Sequence, residues 1–135
     1  MAHIDRAFVG MALVWLMLGM LFGLYIGLTH SDQYVPMHMT MLLPGFVLLS
    51  VYGALYRLWP KMKDAGLAKV QFWLATIGSL GQVVGAYQSV QSGGSDMMIV
   101  TSAWVLALLG GLLMGWLFLT KSEESAWHAP SHKHA

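Results

Sequence analysis

The sequence of 135 residues contains no cysteine and few charged residues. Without cysteine the chain can form no disulfide, thiolate metal site or iron–sulfur cluster, and any haem must be held non-covalently. Charged residues make up only 10% of the sequence, and the formal net charge is +1. The seven lysines and arginines form no dense basic patch, which argues against nucleic-acid binding.

Apolar residues account for 57% of the sequence and are concentrated in four long runs. These runs cover residues 7–28, 37–58, 70–90 and 97–119. Each is about 20 residues long, the length that a helix needs to cross a bilayer. A soluble protein of this size could not bury so much apolar surface. We therefore predict an all-α, polytopic membrane protein with four transmembrane helices in one domain, residues 1–120. A flexible cytoplasmic tail that contains histidines is predicted over residues 121–135.

The basic residues are distributed unequally between the predicted loops. They are Arg6, Arg57, Lys61, Lys63, Lys69, Lys121 and Lys133. All of them precede the first run, lie at the end of the second or between the second and third, or follow the fourth, while loops 29–36 and 91–96 contain none. By the positive-inside rule, both termini and the middle loop are predicted to be cytoplasmic in a cell inner membrane. His30 and His38 then lie near the outer face.

Small residues recur every four positions in three of the runs. They are Gly19, Gly23 and Gly27 in the first, Gly81 and Gly85 in the third, and Ala103, Ala107, Gly111 and Gly115 in the fourth. Such ribbons let helix backbones approach closely, which stabilises helix association in lipid. We expect contacts within the bundle and between subunits, because four helices enclose little interior and an oligomer would enclose more.

The second run carries the clearest functional pattern. Its residues His38, Met41, Gly45 and Tyr52 are spaced so that they share one face of a helix. Gly45 lies about 10 Å along the helix from His38, close to the width of a porphyrin. An imidazole that faces a cavity beside a glycine is suited to bind haem iron, and Pro44 should bend the helix there. An interfacial histidine that contacts water is the alternative interpretation.

Sulfur atoms surround the same histidine. Met37, Met39 and Met41 alternate around His38, and His30 follows the end of the first run. Thioether and imidazole ligands together favour Cu(I), so these residues are candidates for a copper site near the outer face. Met41 is also a candidate second axial ligand of a haem. Alternatively, the methionines fill gaps between helices, as methionine commonly does.

A longer pattern in the second run resembles part of a known protein family. His38 opens the second run, Gly45 follows two turns later, and residues 52–60 read Tyr-Gly-Ala-Leu-Tyr-Arg-Leu-Trp-Pro. Residues 5–60 resemble the corresponding part of subunit I of haem–copper oxidases, in the branch of the cbb3-type oxidase and nitric oxide reductase. The resemblance implies that His38 is an axial ligand of a b-type haem (heme b) near the outer face. It is much weaker over the last two helices.

The departures from this family limit what the resemblance implies. The family's catalytic centre needs further histidines on later helices, and runs 70–90 and 97–119 contain none. One copy therefore cannot form a complete oxidase site, and whether the protein is an enzyme stays open. Four helices resemble one of the three four-helix arcs of that subunit, so a homotrimer would reproduce its plan of twelve helices.

The expected function is electron transfer or haem-linked redox chemistry in the lipid bilayer, with a redox partner protein. Two other functions stay open. One is a copper-binding or oxidase-assembly protein that uses the histidine and methionine residues at the outer face. The other is a structural accessory subunit that has lost its cofactor.

Overall fold

The computed structural model describes residues 3–95 and 97–122, which form helices joined by short turns, without a β-strand among them. Helix α1 is Ile4–Thr29, and a composite helix, Asp32–Leu58, follows. The composite helix consists of a 3-10 turn (Asp32–Tyr34), helix α2 (Val35–Thr40), a π-helical segment (Met41–Val47) and helix α3 (Leu48–Leu58). A 3-10 turn, Pro60–Asp64, leads to α4 (Leu67–Gln91) and then α5 (Met98–Lys121). The all-α prediction is confirmed.

Three helices of the described residues are long and apolar enough to cross a membrane, namely α1, the composite helix and α5. Many of their large apolar side chains are exposed, as expected of surfaces that face lipid. Helix α4 has a similar length, 25 residues, but it buries the polar residues Gln71, Ser79 and Gln82. Most of the predicted tail, residues 123–135 with His128, His132 and His134, lies outside the described residues.

Local sequence accounts for the ends and the irregularity of these helices. His30 ends α1 in a left-handed conformation with φ 54°, and its N–H donates to the carbonyl of Ile26. Gly93 and Gly94, with φ values of 61° and 83°, form the turn after α4, where a side chain would be strained. Pro44 lies inside the π-helical segment, where Leu48 N–H donates to the carbonyl of Leu43. The α-helical bonding is interrupted here because proline has no N–H to donate, and the bend predicted at Pro44 stays a prediction.

The helices form two antiparallel pairs, α1 with the composite helix and α4 with α5. Small residues bring α4 and α5 together. A Cβ placed on Gly85 would lie 3.0 Å from Val100 Cγ2, and one on Gly78 would lie 3.1 Å from the backbone nitrogen of Ala107. A Cβ on Gly81 would lie 3.0 Å from Ala103 Cβ. The predicted close contact is therefore confirmed for Gly81 and Gly85 of α4 and for Ala103 and Ala107 of α5.

The predicted ribbon on α5 changes direction after Ala107. The buried face continues through Gly110 and Met114, whereas Gly115 has no neighbour within 4 Å of a Cβ placed on it. A Cβ on Gly111 would instead lie 3.4 Å from the hydroxyl of Tyr52. Because a helix has about 3.6 residues per turn, a strict four-residue repeat rotates away from a straight contact line.

A chain of hydrogen bonds joins the two helix pairs. The Tyr56 hydroxyl of α3 donates to Gln71 Oε1 of α4 over 3.2 Å, and Gln71 Nε2 donates to the carbonyl of Gly110 in α5 over 3.4 Å. Tyr56 and Gln71 both have 0% exposure. The buried amide of Gln71 is thus satisfied on both sides, which allows a polar side chain to remain inside the bundle.

The two ends of the bundle differ in charge. At one end Asp5 is paired with Arg57 Nη1 at 3.4 Å and with Lys63 Nζ at 3.0 Å. Lys61 and Lys121 border a shared cleft at this same end. The described basic residues therefore gather at one end, as the sequence pattern requires.

Aromatic and polar groups connect the opposite end. Gln91 Nε2 donates to the Tyr34 hydroxyl over 3.2 Å, which joins the end of α4 to the turn before α2. The ring of Tyr34 stacks on that of Tyr87 with their centroids 6.3 Å apart. Tyrosines are typical of the interface between hydrocarbon and water.

Candidate functional site around His38

The candidate residues of the composite helix share the face that contacts α1. His38 lies beside Gly23 and Met41 beside Gly19, near the end of the bundle at which the described residues include no lysine or arginine. Further along, Gly45 lies beside Trp15, and Tyr52 contacts Phe8 with ring centroids 5.7 Å apart. The predicted common face is present, and α1 is the element that covers it.

The imidazole of His38 fits into the space that Gly23 leaves. A Cβ placed on Gly23 would lie 2.7 Å from His38 Cε1 and 3.3 Å from each ring nitrogen. The ring edge that carries both nitrogens therefore faces α1. His38 is half-buried, and its Nδ1 is buried without a hydrogen-bond partner among the described residues. Burying a polar atom without a partner costs about 1–3 kcal/mol, so most such atoms have one. This nitrogen therefore faces α1 as a buried polar atom without a partner among the described residues.

Gly45 admits a flat ring, but the ring in the structure belongs to the protein. A Cβ placed on Gly45 would lie 2.8 Å from Cγ of Trp15, so the indole fills the space that was predicted to hold a porphyrin. Trp15 is 6% exposed, and its Nε1 also has no hydrogen-bond partner in the described part of the chain. Sequence reasoning missed Trp15. Its seven-residue spacing from Phe8 and Phe22 was a usable signal, since that spacing keeps large rings on one helix face.

Met41 and Tyr52 contact protein neighbours on the same face. Met41 is 7% exposed, and its Cβ lies 3.4 Å from a Cβ placed on Gly19. Tyr52 is 5% exposed, and its hydroxyl reaches α5. Fourteen residues separate Tyr52 from His38, so the two lie about 20 Å apart along the helix. Tyr52 is therefore too distant to touch a porphyrin whose iron is bound at His38.

The proposed copper ligands differ in their surroundings. Met37 is half-buried and packs at the edge of the core, whereas Met39 is 43% exposed. His30 is exposed at the end of α1. Within residues 3–95 and 97–122, no three His, Cys, Asp or Glu side chains lie close enough to hold a metal ion together. A copper site at His38 would therefore depend on the thioethers of Met37 and Met41.

No protein-family model, curated protein or solved structure matches the chain. The resemblance of residues 5–60 to the oxidase subunit therefore rests on the sequence pattern alone.

Proposed function

We propose that the protein spans the cell inner membrane four times, with both termini in the cytoplasm. The gathering of described basic residues at one end of the bundle supports this orientation. The contacts from Gly85 with Val100 to Gly78 with Ala107 support α4 as the fourth span. Because α4 lies beside α5 over this length, a membrane crossed by α5 would surround both helices.

Within this bundle we propose that His38 binds a b-type haem for electron transfer or haem-linked redox chemistry. One observation carries the proposal: a half-buried imidazole whose Nδ1 is buried and has no hydrogen-bond partner among the described residues. The resemblance assigns the same histidine as an axial ligand. When bound, haem supplies one-electron redox chemistry, while the chain holds the iron and limits access of water. A redox partner protein would then exchange electrons at the outer face.

We propose that the protein binds this haem as a homotrimer. Inside one copy, His38 fills the space at Gly23 and Trp15 fills the space at Gly45. Neighbouring copies must then supply the remaining walls of a haem pocket. Gly27 and Gly115 have nothing within 4 Å of a Cβ placed on them, and small residues of this kind allow close contact between membrane helices. Three copies would also reproduce the twelve-helix plan of the oxidase subunit.

Optical spectroscopy and iron analysis of the purified protein test the haem proposal. We expect a reducible Soret band and stoichiometric haem in the unaltered protein. His38→Ala should abolish both, whereas His30→Ala should leave them unchanged, because His30 is exposed at the end of α1. A colourless protein without iron, or equal haem content in both variants, would contradict the proposal.

Copper binding or oxidase assembly is the second candidate function. The positions of Met37 and Met41 on the more buried side of the helix, with His38 between them, favour it. We expect stoichiometric copper in a colourless protein, lost in His38→Ala and in Met41→Leu. Met39→Leu is the matched control, because this methionine is 43% exposed and should retain copper. A protein that binds neither metal would be a structural subunit.

A further inference from the structure

A cleft of about 520 Å³ opens between α1 and α3 at the basic end of the bundle. Its walls are small or apolar, with Gly10 and Leu13 on α1 and Gly53 and Ala54 on α3. A Cβ placed on Gly10 would meet nothing within 4 Å, so the absence of a side chain there helps to keep the cleft open. Leu13 is 50% exposed at the deep end, where the surrounding membrane would be hydrocarbon.

Two arginines, Arg6 and Arg57, line the mouth of this cleft. Asp5 lies there too, but its carboxylate is 6% exposed and already pairs with Lys63 at 3.0 Å and with Arg57 at 3.4 Å. The side chain of Arg57 remains 71% exposed, so most of its donors are accessible. Arg57 and Lys63 pair with this one carboxylate, and Arg6 adds a further positive charge, so the mouth carries excess positive charge.

We infer that this cleft binds an anionic phospholipid of the surrounding membrane. The phosphate lies against Arg6 and Arg57, since guanidinium groups bind phosphate oxygens through paired hydrogen bonds. One acyl chain lies along the cleft from Gly10 to Leu13. The distance from Arg6 to Leu13 is about 10 Å along α1, enough for several methylene groups. Basic sites beside transmembrane helices on the cytoplasmic side bind anionic lipid headgroups for the same reason. This inference requires the membrane location but no metal at His38.

Lipid titration of the delipidated full-length protein in neutral detergent, followed by native mass spectrometry, tests the inference. We expect one molecule of phosphatidylglycerol to be retained and phosphatidylcholine to be retained much less. Arg6→Gln should weaken binding of phosphatidylglycerol about fivefold, the effect of one basic side chain near an anionic surface. Gly10→Leu should weaken it as well, because the new side chain fills the apolar part of the cleft.

Each variant has a matched control in the same chain. Lys69→Gln removes one exposed positive charge outside the cleft and should leave the affinity unchanged. Val14→Leu places the same side chain at an exposed position of α1 outside the cleft and should also have no effect. Three results would overturn the inference. They are equal retention of both lipids, an equal loss of phosphatidylglycerol affinity in Arg6→Gln and Lys69→Gln, and full competition by inorganic phosphate. A change of oligomeric mass in Gly10→Leu with unchanged lipid retention would overturn it too, since a second copy would then occupy the cleft.

Discussion

Two glycines, Gly23 and Gly45, let a ring on the neighbouring helix reach the backbone. Gly23 of α1 receives the imidazole of His38, and Gly45 of the composite helix receives the indole of Trp15. The exchange is reciprocal, because each helix supplies one ring and one glycine. In lipid, where apolar burial gives little drive for association, such close fits contribute much of the stability of a helix pair. His38 is therefore held in place by α1 whether or not it binds a metal.

The fit at Gly45 predicts a measurable penalty for a single methyl group. In Gly45→Ala the new Cβ would lie 2.8 Å from Trp15 Cγ, so the indole or the helix must shift. We expect the free energy of unfolding in mixed micelles to fall by about 1–3 kcal/mol, as for other overpacked interiors. Gly10→Ala, where a Cβ meets nothing within 4 Å, is the control and should change it by less than about 0.5 kcal/mol. Equal stability of the two variants would refute the close fit.

At the scale of the elements, hydrophobic runs locate helices well but do not identify their partners. The run 7–28 corresponds to helix Ile4–Thr29, because the length of an uninterrupted apolar run can be read directly from the sequence. The spacing of His38 and Gly45 correctly predicts one common face. It does not predict what covers that face, because a porphyrin and the indole of Trp15 need similar flat space. Only the register of α1 against the composite helix decides between them, and register depends on the packing of the whole pair.

The connection between the two helix pairs could not be predicted either, since Tyr56 and Gln71 are fifteen residues apart and belong to different helices. Their hydrogen bond predicts how much the contact between the helix pairs contributes to stability. Tyr56→Phe removes the donor and leaves Gln71 Oε1 buried without it. We expect the free energy of unfolding to fall by about 0.6 kcal/mol and at most about 2, the range for hydrogen bonds between membrane helices.

Tyr25→Phe serves as the comparison, because Tyr25 is 48% exposed and can exchange its hydrogen bonds with water or headgroups. If the two substitutions change the unfolding free energy equally, the link between the helix pairs carries no stability. The double variant Tyr56→Phe with Gln71→Leu gives a second test. If its unfolding free energy falls by the sum of the two single effects, the same conclusion follows.

At the scale of the whole molecule, charge and helix pairing together specify how the chain would cross the membrane. At one end, the ion pairs of Asp5 with Arg57 and Lys63 join the start of α1 to the end of α3 and to the turn before α4. The bond from Gln91 to Tyr34 fixes the two remaining turns at the other end. Helix α4 is less apolar than the other long helices because it buries polar residues. Its partner α5 is apolar over a similar length, so the two should cross together.

The absence of cysteine makes this topology directly measurable, because an introduced cysteine is the only thiol in the chain. Single cysteines in place of Gln33, Asp64 and Ser95 probe the three turns at exposed positions. With four spans and cytoplasmic termini, a membrane-impermeant maleimide added to intact cells should label Gln33→Cys and Ser95→Cys. Asp64→Cys should react only after the membrane is disrupted. Labelling of Gln33→Cys but not Ser95→Cys would show that α4 does not cross, and the reverse labelling of all three would show an inverted protein. The positive-inside argument and the orientation of His38 toward the outer face would then both fail.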